Sequence, residues 1–401
     1  MIRKLLVTSA SVIGLAVAAP ALAQDDIPAA STAPTMDFGT WGVDLNQLDD
    51  SVDPGDDFNA YTNAKWINAN EIPADRQRYG AFDMLREESI HDVEVLVRDL
   101  VASNPAPGTT ARRIVDAYNA YVDMDAINAS GLAPAQPYLQ EIYNAPDLEA
   151  LTRLFMEAGY PALVTAGVGI DARNPTDYVV SLGFDGMGLP DRDYYLVDSE
   201  SNLEIREAYK DYLTFVLGKA GYQDARGAAE AVYAFETKVA RLEWARQMFR
   251  LPQLTYNELT PAELTEMAGD FPIATLLEAG QFSDQTRFLA PQIPPTAEEV
   301  EALGLTAEQQ AMIGEGLPGM MKLVTETPLA TMKAFMAAQF LSNNAAVLSS
   351  ELDDARFEFY GRTISGQEAQ QERWKRAIGA VEGTLGEQLG ALYVERDFPP
   401  E

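Results

Sequence analysis

The sequence has no cysteine and a single histidine, His91, in 401 residues. The first absence excludes disulfides, thiolate nucleophiles and a lipid-modified N-terminal cysteine. The second excludes any centre that needs two imidazoles, and a serine-histidine-acid triad could use only His91. Positive charge is also scarce: 29 Lys+Arg stand against 61 Asp+Glu, a net charge of −32. Such a field repels phosphate backbones, so nucleic acid is not an expected partner. The acidity suits attraction of cationic peptides, or simply a well-solvated surface. Beyond the N-terminus no apolar run is long enough to span a bilayer, and there is no internal repeat.

What is present describes a folded, exported chain. A hydrophobic fraction of 47% with 9% aromatics lies in the globular range. A domain of this length buries on the order of 75% of the surface its unfolded chain exposes. Arg3 and Lys4, an apolar run from Leu5 to Ala18, Pro20 and then Ala21-Leu22-Ala23 have the three-part layout of a secretory signal peptide. Residues 1–23 are therefore expected to be the signal, cleaved after Ala23, with an uncleaved N-terminal anchor as the alternative, and the destination periplasmic or extracellular. Residues 24–37 read as a flexible linker, and order should begin near Phe38.

From there the expected fold class is mainly α, a multi-helix lobe over 38–401 with a small β-hairpin. In DPGDDF, Asp53 and Pro54 predict a helix start. Between Leu85 and Leu100, the residues Ile90, Val93, Leu96, Val97 and Leu100 share one helical face. His91 is read on the opposite, exposed face with Glu87, Glu88 and Glu94, where it could ligate a metal, act as a base or merely be solvated. Val232, Phe235, Val239 and Leu242 form a second stripe in a segment ending around Met248. Thr327-Pro328 opens a helix carrying Leu329, Met332, Phe335 and Phe340. Ala162 to Ile170 and Tyr178 to Phe184 are β-prone runs joined by a turn at Asn174-Pro175. A capping box of Ser365 with Glu368 predicts the start of the last helix. Its Gly383, Gly386 and Gly390 should be offset by close packing.

Six strings occur in order along the chain: SVDPGDDFNAYTNAKW from Ser51, RYGAFDMLREE from Arg78, GMGLPDRDYYL from Gly186, ARFEFYGRTISGQ from Ala355, RWKR from Arg373 and LYVERDFPPE from Leu392. Together they resemble the N-terminal portion of the neprilysin-like, or endothelin-converting-enzyme-like, zinc metallopeptidase family in its bacterial exported form. The resemblance implies two lobes that enclose peptides or small polypeptides. It also implies zinc held by H-E-x-x-H and a downstream E-x-x-x-D, with the glutamate of the first motif as general base.

None of that constellation is in this chain, since one histidine cannot make H-E-x-x-H. No catalytic or metal residue is therefore assigned, no cofactor belongs to the chain itself, and zinc is implied only for a missing catalytic portion. The alternatives at this point are a catalytic portion encoded separately, a split or truncated gene product, and a free-standing peptide-binding or interaction module. One binding residue carries over from the resemblance. Arg78 takes the place of the arginine that holds a substrate's C-terminal carboxylate, for which two parallel hydrogen bonds suit a guanidinium. The alternative for Arg78 is a structural salt bridge. Arg192 and Asp193 are expected to fix a turn, and Tyr194 and Tyr195 to pack.

Overall fold

The structure, a computed structural model, describes residues 44–398, so the signal, linker and Phe38 readings lie outside the described residues. Helices dominate as the periodicity predicts. The described residues divide into two compact units, one of 44–66, 80–119 and 373–398 and the other of 67–79 and 120–372. Among the described residues, no helix is long and apolar enough to cross a membrane.

In the first unit the predicted helix start shifts. Asp53 closes a turn, accepting the Gly55 N–H at 2.8 Å, and Asp57 caps instead by accepting the Ala60 N–H at 2.9 Å. The helix then runs Phe58–Ala69. A carboxylate one residue before the first helical turn satisfies an otherwise orphaned N–H, which Asp53 is too far upstream to do.

The Ala81–Ser103 and Arg373–Asp397 helices pack together, burying Val93, Leu96 and Val97 from one and Ile378, Val381 and Leu389 from the other. The exposed setting predicted for His91 is corrected here, since its side chain is only 21% exposed. Glu94 is only 2% exposed and holds Arg98, whose Nε donates to it at 2.9 Å. On a helical wheel it flanks Ile90 and Val97, so it belongs to the edge of the apolar face.

The last helix also differs from expectation. It starts at Arg373, because the Glu368 and Ala369 N–H groups donate to the Ala74 carbonyl rather than opening a helix at Ser365. It kinks at Leu385 (φ −128°, ψ 27°), between Gly383 and Gly386. The expected close packing on its glycines is not there among the described residues. A Cβ built on Gly379, Gly383, Gly386 or Gly390 would stand in open space.

The second unit has its own core. The Glu200–Lys219 and Ala225–Leu242 helices form an antiparallel pair, turned by Gly221 at φ +92° and restarted by Asp224, which accepts the Gly227 N–H. Leu217, Val216 and Val232 are fully buried along it, each contributing roughly 1.5–3 kcal/mol of burial. The second stripe ends at Leu242 rather than Met248. The latter lies in a separate short turn, Arg246–Arg250. Leu329–Asn343 is helical after Pro328 as predicted, and its Met332, Phe335 and Leu341 join the same core.

The predicted hairpin is present as β1 (Val164–Ile170) and β2 (Tyr178–Phe184), antiparallel with Val164 opposite Phe184. Two three-residue strands, β3 (Asn257–Leu259) and β4 (Phe288–Ala290), extend it to a sheet of order β1-β2-β4-β3. Asp171 ties off the hairpin end. It accepts the Arg173 N–H and the Tyr256 hydroxyl and pairs with Arg287, which holds its carboxyl down to about 2.

Candidate functional site

Arg78 lies exposed in the non-regular segment two residues before Gly80, the N-cap of the Ala81–Ser103 helix, and it takes part in interactions there. The segment is pinned upstream: the Ala74 carbonyl accepts two N–H groups from 368–369, and Gln367 Nε2 donates to the Asp75 carbonyl at 3.0 Å. The chain around the RYG string is thereby fixed to the end of the ARFEFYGRTISGQ string, 292 positions later for the Asp75 to Gln367 bond.

Zinc does not fit the residues present. His91 is the only imidazole, its Nδ1 stands 3.8 Å from the Glu94 carboxylate, and that carboxylate is occupied by Arg98. Among the described residues no three of His, Asp or Glu assemble into a group that could hold a metal ion. A tetrahedral zinc centre needs three or four such donors.

What the recognisable strings do build is a buried polar knot in the second unit. Glu236 sits fully buried in the Ala225–Leu242 helix and accepts from the Tyr195 hydroxyl at 2.8 Å and the Tyr209 hydroxyl at 2.9 Å. Tyr195 in turn accepts the Gly188 and Leu189 N–H groups, and the Tyr360 hydroxyl donates to the Gly188 carbonyl at 2.9 Å. Gly188 has no room for a side chain, since a Cβ there would lie 1.8 Å from the Tyr209 hydroxyl. Phe359 stacks on both Tyr209 and Tyr212. It is carried by a π-helical stretch, Phe357–Ile364, that periodicity at 3.6 residues per turn does not reveal. Burial pushes the Glu236 carboxyl up to about 8, against the lowering effect of its two tyrosine donors and the Gly188 N–H.

In place of the turn expected of Arg192 and Asp193, the chain forms a short helix, Arg192–Leu196, and Asp191 caps it by accepting the Asp193 N–H. Tyr195 packs as expected. Arg192 reaches the Glu243 carbonyl, and Arg246 pairs with Asp191 at 3.1 Å. Asp191, Arg192 and Arg246 line a cleft of about 330 Å³ with Tyr194 and Arg250. Burial, with Asp191 adding to it, pushes Glu243 up to about 7. Glu236 itself meets no solvent, so its carboxyl positions the 186–196 loop and touches no reactant. The sequence contained its signal: residues 232, 235, 236 and 239 have the spacing of a core stripe, and one of them is a glutamate.

Comparison with known proteins agrees with the six strings. The N-terminal model of peptidase family M13 matches residues 54–401. The chain is 24% identical over 367 residues to endothelin-converting enzyme 1 of Rattus norvegicus, across 88% of this chain and 45% of that protein. To neprilysin of Mus musculus it is 23% identical over 381 residues, across 89% and 49%. It thus spans about half the length of the curated relatives it matches.

The crystal structure of Mycobacterium tuberculosis zinc metalloprotease Zmp1 in complex with an inhibitor superposes with a TM-score of 0.76 at 28% identity, covering 88% of this chain and 52% of that one. PepO of Lactobacillus rhamnosis, at 18% identity and a TM-score of 0.68, shares the fold. With the family model running over most of its length, the chain belongs to peptidase family M13, in the portion that the family's N-terminal model describes.

Proposed function

We propose that this chain is the non-catalytic portion of a zinc metalloendopeptidase system acting on exported peptides and small polypeptides, and that alone it hydrolyses no peptide bond. The observation that carries the reading is a family match over 54–401 combined with one histidine and no cysteine. Zinc and the activated water would come from a catalytic portion, in the same or a separate polypeptide. The chain's own contribution is enclosure and recognition. Its N-terminal pattern at residues 1–23 supports export to the periplasm or beyond. The purified chain, incubated with unstructured peptides and added zinc, should give no chelator-sensitive cleavage; robust cleavage would overturn the reading.

Arg78 supports a second reading, a peptide-binding module that acts without proteolysis. Arg78 is an exposed residue on a segment fixed at Ala74 and Asp75. Saturable binding of peptides with a free C-terminus should weaken both on Arg78→Ala and on amidation of the peptide. If neither change matters, Arg78 is a structural cation instead.

A further inference from the structure

β1 is an edge strand, paired among the described residues only with β2. The ladder fixes where its backbone points. The Asp185 N–H donates to the Leu163 carbonyl at 2.8 Å and the Asp171 N–H to the Asp177 carbonyl at 3.0 Å. Antiparallel pairs alternate, so Thr165, Gly167 and Gly169 between them also face β2. Ala166, Val168 and Ile170 therefore turn their N–H and C=O groups outward. Val168 and Ile170 are 63% and 65% exposed, and Tyr178, directly opposite Ile170 on β2, is 73% exposed. The other face of the strand carries Gly167 and Gly169, with open space where a Cβ would stand.

Exposed edges are ordinarily guarded by lysine, proline, a bulge or a covering element. The sequence VTAGVGI of β1 has neither charge nor proline, and its register with β2 runs without a bulge. We propose that β1 docks an extended segment of another polypeptide, which adds to the sheet as a further strand and lays alternate apolar side chains over Val168, Ile170 and Tyr178. Charge decides against a second copy of this chain as the occupant, because each copy carries −32 and two copies repel. A cationic peptide, opposite in sign, is attracted to the same chain instead. The inference rests on neither zinc chemistry nor Arg78.

The full chain can be titrated with a fluorescent seven-residue peptide of alternating valine and lysine, amidated so that no terminal carboxylate is offered, and read by anisotropy. Saturable binding is expected. Val168→Pro removes an outward N–H without touching the β1–β2 ladder, and should weaken binding at least tenfold. An added strand uses only alternate amides. N-methylation of the peptide in one phase should therefore abolish binding, and in the other phase leave it within about threefold.

Absence of binding, or equal effects of the two methylation phases, would overturn the proposal. So would unchanged affinity in a Val168→Pro variant with wild-type circular dichroism. If that variant does not fold, the two methylated peptides decide on the unaltered chain. Self-association by sedimentation velocity that Val168→Lys abolishes would instead assign the edge to a second copy and refute the peptide assignment.

Discussion

The Tyr195 hydroxyl donates to Glu236 at 2.8 Å while accepting the Leu189 N–H at 2.9 Å, so one phenol joins the interior of the Ala225–Leu242 helix to the backbone of the 186–191 loop. Truncating Glu236 strands two buried tyrosine hydroxyls. Glu236→Leu should cost about 3 kcal/mol near pH 5, measured by urea unfolding.

Protonation of the same carboxyl sets a pH dependence. Unfolded, it titrates near its ordinary 4.5; in the fold it titrates at about 8. Between those values the folded chain keeps a proton that the unfolded chain releases. The contribution is full below pH 4.5, declines as pH rises and is gone above about pH 8, with a total on the order of 5 kcal/mol. Glu243, raised to about 7, acts in the same sense. Glu236→Gln, neutral at every pH, should flatten most of the slope between pH 5 and 8; an unchanged slope would place its origin elsewhere.

Gly188 is a steric requirement of the knot. Gly188→Ala would drive a methyl group into the Tyr209 hydroxyl and should destabilise by roughly 2–4 kcal/mol. The denaturation midpoint should fall with the slope unchanged. A loss below about 0.5 kcal/mol would mean that the loop relaxes freely.

The last helix behaves oppositely. Gly379 and Gly390 have nothing within 4 Å of a built Cβ. Alanine at either site should stabilise the isolated chain by roughly 0.5–1 kcal/mol through helix propensity alone. Thermal unfolding of the two variants tests this, and destabilisation would reveal a packing partner on that face.

Local chemistry made much of this legible. The hairpin, the Pro328 helix start and the stripe of Val232, Phe235 and Val239 followed from periodicity and turn residues. Errors arose where several residues could do one job, or where distant chain intervened. Asp53 and Asp57 both suit a cap, and only the backbone chooses between them. Ser365 and Glu368 satisfy the capping-box spacing, but Ala74 takes the Glu368 N–H. Three-residue strands such as β3 and β4 have no periodicity to read: β4 exists because β2 offers its other edge, and β3 pairs in turn with β4. Glu94 lies between Ile90 and Val97 on the wheel, at the border where periodicity alone does not separate the apolar face from the polar one. Glu236 in the core stripe makes sense only once Tyr195 and Tyr209 converge on it.

Arg396 donates to the Asp92 carbonyl at 2.7 Å across a sequence separation of 304 residues. On a ribosome adding about 5–20 residues per second, the Ala81–Ser103 helix would wait roughly 15–60 s for that partner. Over the same interval the Glu200–Lys219 and Ala225–Leu242 pair can close within its own few dozen residues. The unit that needs both the Ala81–Ser103 and Arg373–Asp397 helices is therefore completed after the Glu200–Lys219 and Ala225–Leu242 pair. In pulse-labelled refolding, amides of 200–242 should gain protection before those of 81–103. Until then, the apolar stripe through Val93 and Val97 is a surface for chaperones to shield.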